Sequence, residues 1–177
     1  MPWFHSRLDP DLHEALRTFI ITEGKFLDLG CGSGVQTRQL LKKGFDVTGT
    51  DISATAIKGA QKTYPKIHFL RDNILKTKLT EKYHYIFDRG CFHIFDEKER
   101  KVYVKNVTRL LKANGMLFLK VFSFLEPDHG VGPFRYTVEE IEKLFKEKFS
   151  VIWVKHTVYQ GQRRPKPKAI FIVLKKK

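Results

Sequence analysis

The chain is poor in cysteine and in long apolar segments. Its two cysteines, Cys31 and Cys91, show no paired spacing, so the sequence does not support a disulfide scaffold or a zinc site and predicts two free thiols. The longest uninterrupted apolar run, residues 169–174, is far too short to cross a bilayer, and the first residues lack the apolar stretch of a signal peptide. We therefore expect a soluble, cytoplasmic protein that does not engage a membrane.

Carboxylates are also scarce: 19 Asp and Glu stand against 33 Lys and Arg, which gives a formal net charge of +14. Residues 148–177 contain nine bases and no carboxylate. Such an end could hold nucleic-acid phosphates or an anionic membrane surface, or it could be a solvated, solubilising face. The solvated face is favoured, because aromatic residues do not interleave with the basic cluster at 163–168 as stacking on single strands requires.

The most informative segment is residues 26–34, Phe-Leu-Asp-Leu-Gly-Cys-Gly-Ser-Gly, in which an apolar strand with an acid runs into three alternate glycines. Glycine lets the backbone turn sharply and approach a ligand closely. A dinucleotide fingerprint would place its third glycine at position 35, which is Val35 here. Residues 45–51 then read as a second strand, with Asp51 at its end to accept hydrogen bonds from a ribose diol.

Strands and helices alternate along the rest of the chain. Capping boxes at Asp96 and Glu99 and at Thr137 and Glu140 open two helices, the first running to residue 112, and Asp9 begins an earlier one before a proline. This order predicts an α/β fold with a doubly wound, mostly parallel sheet that ends in an antiparallel hairpin. With 177 residues and 42% hydrophobic content, we expect one domain over residues 1–177. Further helices are expected at 35–43 and 53–62, and strands at 67–70, 83–88, 116–122, 151–159 and 169–175.

The acid before the loop, the glycine spacing and Asp51 together resemble the class I S-adenosylmethionine-dependent methyltransferases. The resemblance implies a Rossmann-like three-layer αβα sandwich, whose seven-stranded sheet has an antiparallel last strand. It also implies S-adenosyl-L-methionine as cofactor, with S-adenosyl-L-homocysteine as product. In related enzymes the segment after the third strand contacts the adenine, although Asp72 and Asn73 could also form a simple turn. The cofactor-binding residues that it implies are Asp28, Gly30, Cys31, Gly32, Ser33, Gly34, Asp51, Ile52, Asp72, Asn73, Ile74 and Arg89.

Residues 87–90, Phe-Asp-Arg-Gly, narrow the resemblance to the thiopurine and tellurite-resistance methyltransferases, whose acceptors are small thiols, heterocycles or chalcogen anions. The proline-containing motif of nucleic-acid amino-methyltransferases is missing, and Cys91 follows glycine rather than the proline common before a cytosine C5 nucleophile. In that group the arginine reaches the active site, which implies a catalytic or cofactor role for Arg89. The alternative is a salt bridge between Arg89 and Asp88 or another strand-end carboxylate.

The same group covers its site with an amino-terminal aromatic segment, so residues 1–24 are expected to form a lid and helix before a cofactor-binding core at 25–177. His93 is a candidate catalytic residue, either as general base or as a cation that favours thiolate, and its alternative is a packing residue. Phe134 and Tyr136 either wall the acceptor pocket or staple the following helix. No metal-ligand spacing is present. The expected substrate-binding residues are Trp3, Phe4, His5, Phe92, His93, Phe134 and Tyr136.

These features predict an enzyme that transfers a methyl group by in-line displacement to a small thiol, chalcogen or other heteroatom. Two alternatives stay open: an RNA or nucleoprotein methyltransferase that uses the basic carboxyl-terminal region, and a cofactor-binding module or nicotinamide enzyme. A nucleic-acid partner is not favoured. The sequence does not define the oligomeric state, and a monomer is compatible with it.

Overall fold

The computed structural model describes residues 6–127 and 133–177. The helices are α1 (Pro10–Thr18), α2 (Val35–Lys42), α3 (Ala54–Thr63), α4 (Glu97–Leu110) and α5 (Val138–Phe145). The strands are β1 (Lys25–Leu29), β2 (Asp46–Asp51), β3 (His68–Arg71), β4 (Tyr83–Arg89), β5 (Leu111–Ser123), β6 (Arg135–Tyr136), β7 (Phe149–Val158) and β8 (Lys168–Lys176).

The strands form one sheet in the order β3-β2-β1-β4-β5-β8-β7, with the two-residue strand β6 paired to β5. The pairs from β3 to β5 are parallel, whereas β8 is antiparallel to both β5 and β7. The predicted fold class is confirmed, including the reversed last strand. That strand lies between β5 and β7, so β7 forms the edge of the sheet.

Helices cover both faces of the sheet, because successive side chains of each strand point to opposite sides. On one face, Phe26 of β1 and Phe118 of β5 pack with Leu12 of α1 and Leu40 of α2. On the other face, Leu27 of β1 belongs to the core cluster built with α4 and α5. Other members of that second cluster are Ile86, Tyr103, Val107, Leu117, Leu119, Ile141 and Phe145.

The helix starts are local features of the sequence, and the three predicted caps are confirmed. Both capping boxes form in full, with Asp96 and Thr137 each accepting from the backbone N–H three residues on. Asp9 accepts from the backbone N–H of Asp11 at the start of α1. Helix α4 ends at Leu110, two residues before the expected end, because the chain enters β5 there.

The start of β5 contains an irregularity at residues 112–115. Leu111 is paired with Tyr83, and the next paired residue, Met116, lies opposite Tyr85. The four residues between bulge out of the ladder, with Asn114 at a φ of +59°. This irregularity lies within β5, so the strand begins directly after α4.

Both cysteines are free thiols. In the part of the chain that the structure describes, no helix is long and apolar enough to cross a membrane, and no group of three metal-ligating side chains is assembled.

Candidate functional site

A cavity of about 460 Å³ opens at the carboxyl ends of the parallel strands. This is the edge at which ligands bind in open α/β sheets, because the strand order reverses direction there. The structure brings most of the predicted cofactor residues together around it. Those that line the cavity are Asp28, Gly30, Cys31, Gly32, Ser33, Asp51, Ile52, Asp72, Asn73, Ile74 and Arg89, with His93 beside them.

The glycine loop is tied to β2. The backbone N–H groups of Gly30 and Cys31 donate to the carbonyl of Thr50 at 2.8 and 2.9 Å, and that of Gly32 donates to Oδ2 of Asp51 at 2.9 Å. Gly32 has a φ of +52°, and a Cβ added there would meet no atom within 4 Å, so this stretch of backbone is bare toward open space. The loop can therefore approach a ligand closely.

Gly34, which the sequence places in the cofactor set, does not line the cavity. Its φ is +76°, and a Cβ there would lie 2.5 Å from the ring of Phe69. Gly34 thus supports the loop from behind, where α2 begins, by allowing close packing against β3.

Three carboxylates from β1, β2 and the segment after β3 face the cavity. Asp28 is buried and accepts a hydrogen bond from the Thr37 hydroxyl at 2.6 Å. Burial raises its pKa to about 6, although the bonds from Thr37 act in the opposite direction. Asp51 also accepts from the backbone N–H of Ser53 at 2.8 Å. Oδ2 of Asp72 is buried with no hydrogen-bond partner among the described residues, which is costly unless a ligand supplies a donor.

Asp88, at the end of β4, shapes the loop that follows. Its fully buried carboxylate accepts from the backbone N–H groups of residues 90–92 and from the Tyr103 hydroxyl at 2.6 Å. Burial raises its pKa to about 6, against the lowering effect of these donors. With these bonds made inside the protein, Asp88 acts as a structural anchor for the loop.

Arg89 lies at the cavity wall and forms a salt bridge, but its partner is neither Asp88 nor another strand-end carboxylate. Its Nε donates to Oδ2 of Asp9 at 2.8 Å, and its guanidinium lies 5.5 Å from the ring centroid of Tyr159. The partner is the N-cap of α1 rather than Asp88. Only 11% of the Arg89 side chain is exposed, so its charge acts in a poorly hydrated environment.

His93 lines the cavity as a neutral ring. Burial lowers its pKa to about 3, so the protonated form considered from the sequence is not expected near neutral pH. The backbone N–H of Phe122 donates to Nδ1 at 3.3 Å, which places the ring proton on Nε2. The ring stacks on Phe122 with centroids 4.7 Å apart. His93 therefore presents a donor rather than a vacant basic nitrogen.

Three predicted acceptor-binding residues lie away from the cavity. Phe92, in the turn after β4, and Tyr136, in β6, are buried in the core built with α4 and α5 and pack on each other, with ring centroids 5.4 Å apart. Phe134 points toward Arg100, whose guanidinium lies 4.3 Å from its ring centroid. The predicted lid residues Trp3, Phe4 and His5 lie outside the described residues.

Sequence reasoning missed several cavity residues that come from distant parts of the chain. Tyr159 follows β7, Phe122 lies in β5, and Gln36 of α2 holds the segment before α1 by accepting from the Asp9 N–H at 2.8 Å. The sequence does contain one indication of distant residues at this site: Lys120 lies within an apolar strand, and a charge in such a position needs buried partners from elsewhere in the chain. The lining residues not predicted as site residues are Leu29, Val35, Gln36, Thr50, Gly90, Cys91, Ile94, Phe95, Phe122, Pro133 and Tyr159.

The cavity has two electrostatically different halves. Strands β1 to β3 supply the carboxylates Asp28, Asp51 and Asp72. Strands β4, β5 and β7 supply Arg89, aromatic rings and the neutral His93, and the Asp88 carboxylate below them is occupied by protein donors. Because the strand order separates these groups, one half suits a cationic or amine-bearing ligand and the other suits an anion.

Comparison with known proteins agrees with this arrangement. A family model described as a methyltransferase domain matches residues 26–115, which is just over half of the chain. Probable thiol methyltransferase 2 of Arabidopsis thaliana is 28% identical over 149 residues, covering 81% of this chain and 66% of that protein. Thiocyanate methyltransferase 1 of the same plant is 28% identical over 150 residues, covering 81% and 65%. The chain thus spans just under two thirds of the length of these relatives.

Solved structures share the fold. A SAM-dependent methyltransferase from Methanosarcina mazei superimposes with a TM-score of 0.81 at 22% identity, covering 96% of this chain and 98% of that one. TehB from Haemophilus influenzae gives a TM-score of 0.79 at 22% identity, covering 96% of this chain and 63% of that one.

Proposed function

The chain belongs to the S-adenosylmethionine-dependent methyltransferase family, and we propose that it methylates a small, soft nucleophile that binds as an anion. One observation carries the proposal: the half of the cavity formed by β4, β5 and β7 offers the cation Arg89 but no described group that is poised to accept a proton. Both nitrogens of the neutral His93 ring are accounted for, since Nδ1 accepts from Phe122 and Nε2 carries the proton.

The acidic half of the cavity fits the cofactor. The unpartnered Oδ2 of Asp72 is an acceptor for an exocyclic amine, and Asp51 retains lone pairs for a ribose diol. The bare backbone at Gly32 admits the amino-acid tail, and the buried Asp28 carboxylate is a partner for its ammonium group. When bound, S-adenosylmethionine supplies a methyl group made electrophilic by the sulfonium.

Positioning is then the main task of the protein. In-line displacement needs a close, aligned approach of a lone pair and the exclusion of water, from which orientation alone can supply ~7 kcal/mol or more. Phe122, Ile94 and Tyr159 provide apolar and aromatic walls for this purpose. The Nε2–H of His93 and the charge of Arg89 orient a negatively charged acceptor.

An acceptor that is already ionised needs no general base. Thiolates, thiocyanate and related chalcogen anions have this property, whereas a neutral alcohol or amine would need a group to take its proton. The names of the two plant relatives, a thiol and a thiocyanate methyltransferase, support this acceptor class.

The pH dependence of turnover tests the proposal. With saturating cofactor between about pH 6.5 and about pH 9, transfer to thiocyanate should be independent of pH, because its protonation lies far below this range. Transfer to a thiol should rise tenfold per pH unit until the pKa of that thiol, near 8.5 for a cysteine-like acceptor, and then level off. An inflection at the same pH for every acceptor would indicate an enzyme base and contradict the proposal.

We further propose that the chain forms a single methyltransferase domain and acts in the cytoplasm, with a monomer as the simplest state. The RNA alternative gains no support from the contacts of the basic strands. Lys155 pairs with Asp11 and Glu14, and Nζ of Lys176 donates to the carbonyls of Thr108 and Leu111. These lysines stabilise the fold.

A further inference from the structure

Lys120 is the least expected charge in the molecule. It lies in the middle of β5 and has no solvent exposure, although neighbouring residues of the strand are apolar. Its ammonium donates to both carboxylate oxygens of Asp9, at 3.2 and 2.9 Å, and to Oδ2 of Asp11 at 2.7 Å. A lysine is retained in such a place only with complete pairing, since an unpaired buried charge is very costly.

Asp9 connects this lysine to the cavity. The same Oδ2 that accepts from Lys120 accepts from Nε of Arg89 at 2.8 Å. Burial alone would raise the pKa of Asp9, but Lys120 and Arg89 together lower it, so the carboxylate is ionised and shared by two cations. Tyr159 touches both: its ring centroid lies 5.5 Å from each cationic group, and its hydroxyl donates to the Lys120 carbonyl at 2.6 Å.

The charges of the cluster are balanced with Lys120 and unbalanced without it. Arg89, Lys120 and Lys155 face Asp9, Asp11 and Glu14, which makes three cations against three carboxylates, with Lys155 and Glu14 at the surface and the other four largely or fully buried. If Lys120 were an apolar residue, Asp9 would pair with Arg89 alone and the cluster would carry a net negative charge beside the cavity. The half of the cavity that the proposed function assigns to an anion would then repel it.

We infer that Lys120 is a positioning residue for the acceptor: by sharing the carboxylate of Asp9 and balancing Asp11, it lets Arg89 present positive charge to an anion in the cavity. Lys120 itself does not line the cavity, and acts through Asp9 and Arg89. This inference rests on the proposed function, and it adds Lys120 on β5 and Asp9 at the N-cap of α1 to the residues that determine which acceptor charge is bound.

Binding of thiocyanate to the complex of the protein with S-adenosylhomocysteine tests the inference without turnover. Calorimetry on the Lys120→Met variant should show thiocyanate affinity reduced about tenfold or more, as expected for the loss of a unit charge several ångströms away in a protein interior. The affinity for S-adenosylhomocysteine should change less than about threefold, because its predicted contacts come from β1 to β3.

Lys155→Met is the matched control. Nζ of Lys155 also pairs with Asp11, at 3.0 Å. Its side chain is 35% exposed, however, and it forms a second ion pair with Glu14 at the surface. Its removal takes away one positive charge and two ion pairs to α1 without touching Asp9. Thiocyanate affinity should therefore stay within about twofold of the wild type. An equal loss in both lysine variants would overturn the inference.

Asp9→Asn provides a second variant that decides the matter even if Lys120→Met does not fold. Removing a negative charge should leave thiocyanate binding unchanged or tighten it, opposite to Lys120→Met. If the cluster only held the structure together, Asp9→Asn would weaken thiocyanate binding instead.

No measurable thiocyanate binding by the wild type would also overturn the inference. The proposed function is judged separately: methyl transfer without this binding pattern would refute the inference alone, and the binding pattern without methyl transfer to any soft anion would refute the proposed function.

Discussion

At the scale of single residues, the buried carboxylate of Asp28 destabilises the folded protein when it is ionised, and we expect the cofactor's ammonium group to offset this effect. Its carboxylate is buried against Thr37, and its pKa rises from 3.8 to about 6. Ionising this carboxyl group is therefore less favourable in the folded protein than in the unfolded chain, by roughly 3 kcal/mol at most. A strongly perturbed carboxylate at a cavity wall is typical of a functional group, since a purely structural site would gain from an uncharged residue.

We predict that Asp28→Asn raises the melting temperature at pH 7 while weakening the affinity for S-adenosylhomocysteine about tenfold or more. The amide can still accept from Thr37 but cannot pair with an ammonium group. Because the folded pKa lies above the unfolded value, the stabilising contribution of Asp28 is complete below about pH 4 and is lost as the pH rises through about 6. Differential calorimetry from about pH 4 to about pH 7 should show a gap between the variant and the wild type that opens in this window. A variant that is less stable at pH 7 would contradict the assignment.

Asp72 gives the second residue-scale prediction. Since its Oδ2 has no partner among the described residues, Asp72→Ala should leave the melting temperature nearly unchanged. The affinity for S-adenosylhomocysteine should fall about tenfold, the worth of a hydrogen bond to a charged group. The inosine analogue, which lacks the exocyclic amine, separates the causes: the wild type should prefer the adenosine compound, and the variant should bind both alike. Equal discrimination by both proteins would exclude Asp72 as the adenine contact.

At the scale of elements, the helices on the α4 and α5 face stabilise the sheet without contributing to the cofactor half of the cavity. Helix α5 begins with a complete capping box at Thr137 and Glu140, and its buried Ile141 and Phe145 join the core on that face. Loss of a cap therefore affects folding and binding to different extents.

We predict that Thr137→Ala lowers the free energy of unfolding by about 1 kcal/mol, the usual worth of a side-chain N-cap. The dissociation constant of S-adenosylhomocysteine should stay within about twofold of the wild-type value. Urea unfolding and calorimetric titration measure the two quantities. A large loss of affinity with little loss of stability would mean that α5 is coupled to the cofactor site.

The same scale shows which elements the sequence could predict. The glycine loop, Asp51 and the three helix caps were predictable, because each depends on residues a few positions apart whose spacing dictates the backbone. Whether the side chains of Phe92 and Tyr136 point into the core or into the cavity was not predictable, because in a short segment a shift of one residue moves a side chain from one to the other. Phe92 follows Cys91, which lines the cavity, yet it points into the core.

At the scale of the whole molecule, the sheet order separates acidic from basic functional groups. Strand β4 lies beside β1 at the centre of the sheet. The two halves of the cavity, one from β1 to β3 and the other from β4, β5 and β7, meet at that point. The fold class could be predicted from the alternation of strands and helices. The contact of Tyr159 with Lys120 and the ion pair of Lys120 with Asp9 could not be predicted in this way. They join residues 39 and 111 positions apart in the chain, and no local sequence pattern reports such a pairing.

The central claim is that the carboxylates of β1 to β3 and the bare glycine loop form the cofactor site. Calorimetric titration of the purified wild-type protein with S-adenosylhomocysteine tests it most directly, with NAD as the reference ligand. We expect saturable binding at one site, with a dissociation constant on the order of micromolar, which corresponds to roughly 8 kcal/mol, and no binding of NAD. A folded protein that gave no heat with S-adenosylhomocysteine, or that bound NAD instead, would show that these residues do not form the cofactor site.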